Sequence, residues 1–274
     1  MVDARIARLH FERAARSYAN AARIETEIGA RMLERLDYMK LAPRRILDAG
    51  CGPPQRALRK RYPEAQVIAL DFALGMLHAG SGWFDFLRKK TRVCGDIAQL
   101  PLLAGAIDFG WSNMAMHWLA DPMAALRELH RVLRVDGLLM FSTLGPDTLA
   151  ELRAAAGAAR VHGFADMHDL GDLLTQVGFA DPVMDAERIT LVYADGAALI
   201  NDLRASGQTC ALAAPAGAPP RGLAGRGFRA ALEAQLAAQR KDGKLPVTYE
   251  VVYGHAWKAA PTRTADGRSV VKIF

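Results

Sequence analysis

The residues best suited to ligand chemistry in this chain are three aspartates, each at the end of a short apolar segment. The first, Asp48, precedes a turn formed by Gly50 and Gly52, where the backbone can approach a nucleotide-like ligand closely. A carboxylate at this place would repel a pyrophosphate but would attract a cationic ligand. The turn also lacks the third glycine of the phosphate-binding pattern Gly-x-Gly-x-x-Gly. The pattern therefore favours a cationic ligand over a dinucleotide.

The other two aspartates, Asp71 and Asp96, end the second and third apolar segments. Asp71 follows Asp48 at about the 20-residue spacing at which an acidic residue accepts both hydroxyls of a ribose. A role as a helix N-cap remains the alternative for this position. Asp96 and the backbone N–H of Ile97 are placed to contact an adenine. A positively charged nucleoside of this kind is S-adenosylmethionine, which carries an ammonium and a sulfonium group.

Side chains that follow the second and fourth segments are further candidates. Phe72 and Met76 are placed to enclose an adenine, although core packing explains Met76 equally well. Asn113 ends the fourth segment, where the sulfonium methyl would lie at the carboxyl end of a sheet. His117 and Trp118 come just beyond, on the expected substrate side, and a purely structural role remains open for both.

An alternation of short apolar strands and helical stretches must position these residues. Strands are predicted over 45–48, 66–71, 92–96, 107–113, 138–143, 187–193 and 247–257. Helical stretches such as 123–133 separate them. Short apolar strands that alternate with helices form a parallel sheet covered on both faces. We therefore predict an α/β fold, namely a Rossmann-like, doubly wound and mostly parallel seven-stranded sheet with a helical cover.

The chain divides into four predicted parts. Residues 1–42 form an N-terminal helical cover built on an amphipathic helix over 11–36, and residues 43–145 form the cofactor-binding core. Residues 146–258 contribute the substrate-side helices and the last strands, and residues 259–274 form a loose tail. Within the third part, residues 211–227 are rich in Ala, Gly and Pro and are expected to form a mobile loop.

Composition narrows the class of protein. No apolar run approaches the roughly 18–20 residues of a membrane-spanning helix, and the first residues lack the apolar core of a signal peptide. The three cysteines have neither disulfide nor metal-ligand spacing, so we predict no metal site, a reducing compartment and a cytoplasmic location. The net charge of +6 is spread thinly, which argues against a nucleic-acid partner and is compatible with an acidic protein partner.

Several segments, taken in order, resemble class I S-adenosylmethionine-dependent methyltransferases. These segments are 47–52, 69–72, 95–102, 108–118 and 126–137. The resemblance narrows to the malonyl-acyl-carrier-protein O-methyltransferases of biotin synthesis, because segments 11–18, 111–113, 141–146 and 246–258 are similar to that family. The likeness spans nearly the whole chain.

The resemblance implies a role for each matching residue. The implied cofactor-binding residues are Asp48, Gly50, Cys51, Gly52, Asp71, Phe72, Met76, Asp96, Ile97 and Asn113. Tyr18, on the leading helix, is implied to close over cofactor and substrate, and with His117 it is assigned to catalysis. The candidate cations for the substrate carboxylate are Arg153, Arg188 and Arg204, and Arg204 is assigned with Trp118 to substrate binding.

The implied reaction is methylation of the free carboxylate of a malonyl thioester on acyl carrier protein. That carboxylate is already ionised at neutral pH, so positioning and desolvation would carry catalysis without a strong base. One alternative is a same-fold enzyme with another substrate, either a small-molecule methyltransferase or the arginine-hydroxylase-like complex I assembly factor. Pro53, Pro54 and Gln55 stand where relatives usually carry another glycine, so we expect altered contacts with the cofactor and a reduced affinity for it. The other consequence of this turn is a chain that keeps the fold but has lost catalysis, namely a non-catalytic scaffold.

Overall fold

The computed structural model describes residues 2–53, 56–79, 91–212 and 226–260. The strands in these ranges are β1 (Arg45–Ala49), β2 (Gln66–Asp71), β3 (Thr91–Cys94), β4 (Ile107–Ser112), β5 (Leu133–Leu144), β6 (Phe179–Tyr193) and β7 (Leu245–Lys258). They form one sheet in the order β3-β2-β1-β4-β5-β7-β6. Strands β1 to β5 are parallel, and β7 pairs antiparallel with both β5 and β6. The predicted seven-stranded, mostly parallel α/β fold is confirmed.

Helices cover both faces of this sheet. They are α1 (Ala4–Ala14), α2 (Tyr18–Ala21), α3 (Arg23–Arg35), α4 (Arg56–Arg61), α5 (Leu74–His78), α6 (Pro122–Val132), α7 (Ala150–Ala156), α8 (Met167–Val177), α9 (Gly196–Ala205) and α10 (Arg226–Ala238). Short 3-10 turns lie at Leu36–Tyr38, Ile97–Gln99, Met116–Trp118 and Ala158–Arg160. Within the described ranges, none of the helices combines the length and the apolar character needed to cross a bilayer.

Burial distinguishes the centre of the sheet from its edge. In β1 and β2 every residue after the first is buried, because helices cover both faces of these strands. In β6 the burial alternates along the strand, as expected where one face meets solvent. Strand β6 is much longer than the segment predicted at 187–193, since its pairing with β7 continues back to Phe179 opposite Lys258.

The single helix predicted over 11–36 is wrong, because the structure divides this segment into α1, α2 and α3. Ala22, between α2 and α3, has a ψ of 54° and so interrupts the helical backbone. Ser17, at the break between α1 and α2, is bonded to α9, since its hydroxyl donates to the carbonyl of Ala205 at 2.8 Å. The bend brings Tyr18 over the carboxyl end of the sheet. Ile24, Ile28 and Met32 are buried on one face of α3, as expected for an amphipathic helix.

The site must lie where the chain direction reverses in the sheet. From β1 the chain proceeds to β2 on one side, while β4 lies on the other side of β1. Ligands of such sheets bind in the crevice outside the carboxyl ends of these strands. The predicted core and substrate side share this one sheet, and their division stays a prediction. Most of the predicted loop at 211–227 and of the tail at 259–274 lies outside the described residues.

Candidate active site

A cavity of about 320 Å³, here called the sheet-end cavity, lies at the carboxyl ends of β1 to β4. The structure brings ten of the predicted site residues together around it. They are Tyr18, Gly50, Gly52, Asp71, Phe72, Met76, Asp96, Ile97, Asn113 and Trp118. Asp48 and Cys51 lie behind this wall, whereas His117 and Arg204 border other cavities.

The turn after β1 is fixed in a conformation that favours glycine. Gly50 and Gly52 have φ values of 73° and 57°. A Cβ added to Gly50 would lie 2.3 Å from the Cβ of Ala115, so the close approach also requires a glycine. Cys51 is buried and its thiol donates to the carbonyl of Gly52. The side chain of Cys51 therefore supports the turn and does not line the cavity.

Asp71 connects this turn to the end of β2. One carboxylate oxygen accepts from the N–H of Gly52 at 2.9 Å, and the other accepts from the N–H of Ala73 at 2.8 Å. Burial raises the pKa of Asp71 to about 6, although both hydrogen bonds oppose the rise. Asp71 is not the N-cap of α5, because the carboxylate of Glu12 takes the N–H groups of Leu74 and Gly75 at 2.7 and 2.8 Å. Its remaining acceptor capacity faces the cavity.

Asp48 is a buried acid beneath the turn. Among the described residues none donates a hydrogen bond to its carboxyl group. Burial raises its pKa to about 7, the charge of Asp71 adds to the rise, and Arg59 opposes it. A nearby positive charge stabilises the ionised form of such a buried carboxyl group, so the raised pKa of Asp48 fits a cationic ligand.

Glu25, on α3, is a buried acid behind the wall of the cavity that the sequence reasoning missed, and its backbone carbonyl contacts the cavity residue Asn113. It is only 4 % exposed, and burial raises its pKa to about 7. One of its carboxylate oxygens accepts from the side chain of Gln208, whereas the other is buried without a hydrogen-bond partner. In the sequence Glu25 resembles the charged residues of any amphipathic helix, and only its place beside the buried Ile24 distinguishes it.

Asn113 joins the leading helices to the end of β4. Its amide nitrogen donates to the backbone carbonyl of Glu25 at 2.8 Å, and its amide oxygen accepts from Ser142 at 2.9 Å. The next residue, Met114, has a φ of 55°, which is unusual for a residue other than glycine. This strained turn directs Ala115 toward Gly50, so the amide of Asn113 shapes the cavity wall.

Aromatic rings close the cavity on the side of the leading helices. The ring of Phe11, a residue that the sequence reasoning did not single out, lies 5.8 Å from that of Phe72 and 5.1 Å from that of Trp118. Phe11 belongs to α1, so its position depends on the bend that separates α1 from α2. These rings form an apolar wall of the cavity, and polar side chains line it at the strand ends.

Tyr18 lies over the glycine turn. A Cβ added to Gly52 would be 3.5 Å from the tyrosine ring. Burial raises the pKa of Tyr18 well above its ordinary value, and the charges of Glu25 and Asp71 raise it further. The hydroxyl therefore stays protonated at neutral pH, where it can donate a hydrogen bond but cannot act as a base.

The end of the cavity near β3 holds the predicted adenine contacts. Asp96 is exposed and caps the turn Ile97–Gln99, since it accepts from the N–H of Ala98 at 2.9 Å. Ile97 is buried beside it and Met76 is 1 % exposed. Met76 lines the cavity and also belongs to the core, so both interpretations of this residue are compatible.

His117 lies in a second cavity of about 200 Å³, whose wall also includes Trp118. Its Nδ1 is 3.4 Å from the hydroxyl of Thr143. Burial lowers the pKa of His117 to about 3, and the neighbouring His162 lowers it further, so the imidazole is neutral at pH 7. The structure does not place His117 in the sheet-end cavity, and its catalytic assignment stays a prediction.

The three arginines considered for the substrate carboxylate are dispersed. Arg153 donates to backbone carbonyls, Arg188 pairs with Asp147, and Arg204 is exposed beside a third cavity next to α10. They do not line the sheet-end cavity or the second cavity. Arg160, which the sequence reasoning did not consider, lines the second cavity. The assignment of Arg204 to substrate binding stays a prediction.

The unusual turn is described only in part. Pro53 is half-buried directly after Gly52, whereas Pro54 and Gln55 lie outside the described residues. The predicted effect of this turn on cofactor affinity therefore stays a prediction.

Comparisons with known proteins show the family to which the chain belongs. Residues 47–141 match a family model described as a methyltransferase domain. A curated protein of Gallionella capsiferriformans, named malonyl-[acyl-carrier protein] O-methyltransferase, is 48% identical over 99% of this chain and 97% of its own length. A protein of the same name from Laribacter hongkongensis is 50% identical over 97% of this chain and 94% of its own length.

Solved structures share the fold at low sequence identity. A putative methyltransferase of Bacillus halodurans has a TM-score of 0.60 at 16% identity, covering 84% of this chain and 98% of its own. A phosphoethanolamine N-methyltransferase of Haemonchus contortus in complex with S-adenosyl-L-methionine has a TM-score of 0.53 at 15% identity, covering 84% of this chain and 52% of its own.

Proposed function

Because this chain belongs to the malonyl-[acyl-carrier protein] O-methyltransferase family, we propose that it methylates the free carboxylate of a malonyl thioester on acyl carrier protein. The chain is an S-adenosylmethionine-dependent methyltransferase, and the pathway we assign to it is biotin synthesis. The observation that carries the proposal is the near full-length likeness to curated enzymes of this name at about half identity.

The sheet-end cavity supports the proposal because its residues fit the cofactor. S-adenosylmethionine, when bound, supplies a methyl group on a positively charged sulfur. Asp71 would accept from the ribose hydroxyls, and Gly50 and Gly52 leave room for the backbone to approach the methionine end. The buried carboxyl groups of Asp48 and Glu25 would compensate the positive charge.

The chain's own groups would bind and orient the acceptor rather than abstract a proton. A malonyl carboxylate is ionised at neutral pH, so it needs no base. Tyr18 keeps its proton and would donate a hydrogen bond to the acceptor. The apolar rings of Phe11 and Trp118 would exclude water and leave the carboxylate poorly solvated, which favours its attack on an electrophile.

The proposed partner is acyl carrier protein, an acidic protein. The net charge of +6 would favour encounter with such a partner. The three cysteines are free thiols, in keeping with a reducing compartment, and we propose that the enzyme acts in the cytoplasm.

A direct test incubates the purified chain with S-adenosylmethionine and malonyl-acyl carrier protein and follows the acyl chain by mass spectrometry. We expect the gain of one methyl group on the malonyl chain. Acetyl-acyl carrier protein is the matched control, because it has the thioester but lacks the free carboxylate. The proposal fails if calorimetry shows that the cofactor binds and malonyl-acyl carrier protein still gains no methyl group.

A further inference from the structure

The second cavity adjoins the sheet-end cavity, because Trp118 lines both. A ligand that fills the second cavity therefore ends beside the cofactor site. The second cavity is bordered by the end of β5, by α7 and α9, and by α10. Its position is that of an acceptor channel leading to the place of methyl transfer.

The lining of this cavity is mainly apolar, with side chains that include Leu144, Leu152, Leu203 and Leu232. Among the described residues that line it, Arg160 alone carries a permanent charge. Arg160 is exposed, so its charge lies at the rim and not in the interior. A slender, mainly uncharged chain with an anionic outer end matches this distribution.

The described lining of this cavity includes one buried side-chain polar atom that lacks a hydrogen-bond partner. The Nε2 atom of His117 is buried and has no hydrogen bond, whereas Nδ1 faces the hydroxyl of Thr143. When that hydroxyl donates to Nδ1, the proton of the neutral ring is on Nε2. A buried N–H without an acceptor is costly, so this atom is a site for an acceptor brought by a ligand.

We propose that the second cavity binds the acyl–pantetheine thioester, with the Nε2–H of His117 donating to the thioester carbonyl oxygen. This inference rests on the proposed function. The malonyl carboxylate then extends past Trp118 toward the sheet-end cavity. Burial and the neighbouring His162 lower the pKa of His117 to about 3, so the ring holds the carbonyl as a neutral donor throughout the working pH range.

Arg160 completes the site at the outer end. Its guanidinium stacks on the ring of Phe228 at 4.0 Å from the ring centroid, which fixes its position at the rim. A pantetheine arm on a carrier protein ends in a phosphodiester, and arginine is well suited to bind phosphate. Arg160 would thus bind the phosphodiester of the substrate arm, a role separate from the binding of the malonyl carboxylate that was predicted for other arginines.

The test uses the full chain with two substrates, malonyl-acyl carrier protein and malonyl-pantetheine, which lacks the phosphate. We expect H117L to lower kcat/KM about tenfold or more with both substrates, and H117Q, whose amide N–H reaches the position of Nε2, to retain activity within about threefold. We expect R160M to raise KM about tenfold for malonyl-acyl carrier protein and to leave malonyl-pantetheine unaffected.

Controls separate this inference from general damage and from the proposed function. R127M removes an exposed arginine of α6 and should leave kcat/KM unchanged with both substrates. The cofactor affinity of every variant should equal that of the wild type. If H117L is unstable on heating, L232W narrows the same cavity and should raise KM for both substrates. The inference is overturned if H117L keeps full kcat/KM or if R160M affects both substrates equally. Failure of the proposed function is distinct, since it already shows as a wild-type chain that binds cofactor and methylates neither substrate.

Discussion

The sheet-end cavity and the second cavity meet at Trp118, yet they bury opposite kinds of group. The first is formed by strand ends and glycines, and buried carboxyl groups with raised pKa values surround it. The second is formed mainly by helices of the C-terminal half, and its two histidines, His117 and His162, are held neutral by burial.

This difference shows how one fold handles two reactants of opposite charge. Buried acids prepare a place for a cation, because its arrival relieves their desolvation. The acyl arm of the acceptor is uncharged, so it is better served by a cavity whose interior is mainly apolar and carries no fixed charge. The division of charge between the cavities is therefore the property that experiments should try to break.

The largest effect is expected for G50A. The added Cβ would meet Ala115 at 2.3 Å in a residue with positive φ, so we expect a loss of about 3 kcal/mol in unfolding free energy and no measurable cofactor binding. Chemical denaturation and calorimetry measure the two quantities. G105A is the matched control, because Gly105 has a φ of 67° but nothing within 4 Å of an added Cβ. Equal stability losses in the two variants would show that the contact with Ala115 is unimportant.

D71N should weaken cofactor binding about 100-fold, or about 3 kcal/mol. The amide puts an N–H₂ group opposite the N–H of Gly52 or of Ala73, so one hydrogen bond that shapes the cavity becomes a repulsive contact. Calorimetry with S-adenosylmethionine gives the affinity. D185N, which removes an exposed partner of Arg35, should leave it unchanged. An affinity near that of the wild type would show that Asp71 does not hold the ribose.

The third prediction concerns pH. The folded-state pKa values of Asp71, Asp48 and Glu25, about 6, 7 and 7, lie above their ordinary values, so the folded chain binds more protons than the unfolded chain between about pH 4 and pH 7. Unfolding free energy without cofactor should therefore fall as pH rises through this window. A bound cation opposes the rise in pKa, so the increase in Tm on adding S-adenosylmethionine should grow from pH 5.5 to pH 8.

Two comparisons sharpen this pH test. S-adenosylhomocysteine, whose sulfur is neutral, should give a smaller change with pH, and D48N should flatten the dependence for both ligands. A Tm increase that is independent of pH would contradict the view that buried acids are matched to the charge of the cofactor.

The smallest effect is expected for Y18F. The hydroxyl keeps its proton, so its removal costs a single hydrogen bond, about 1 kcal/mol or about fivefold in kcat/KM. The pH profile of kcat should not move, whereas loss of a catalytic base would abolish one limb. Y38F, at an exposed tyrosine, is the control. A shifted pH profile in Y18F would assign the tyrosine a proton-transfer role.

Much of the sheet-end cavity was predictable because several of its polar residues lie at the end of a strand or just beyond it. Asp71, Asp96 and Asn113 are adjacent in sequence to apolar runs, and the carboxyl ends of parallel strands meet in space. Glu25 and Phe11 escaped prediction because their positions depend on breaks between the leading helices. Those breaks are fixed by distant contacts, such as that of Ser17 with Ala205, which no local pattern records.

The second cavity was not predictable from motifs. Its walls come from separate helices, and residues such as Leu152, Arg160 and Leu232 look like ordinary residues of amphipathic segments. The arginines selected from the sequence for the substrate carboxylate stay a prediction, and the structure adds Arg160, which lines this cavity. The packing of the helices against each other determines which residues line the second cavity, and the spacing of those residues along the chain does not reveal it.

Trp118 has a thermodynamic consequence for the whole enzyme. Since one indole forms part of both cavities, a ligand that shifts it in one cavity changes the free energy of binding in the other. Linkage requires that change to be reciprocal, so whatever factor the methyl donor imposes on acceptor affinity, the acceptor imposes on the donor. A single side chain thereby offers a means of making the two reactants bind, and the two products leave, as a coupled pair.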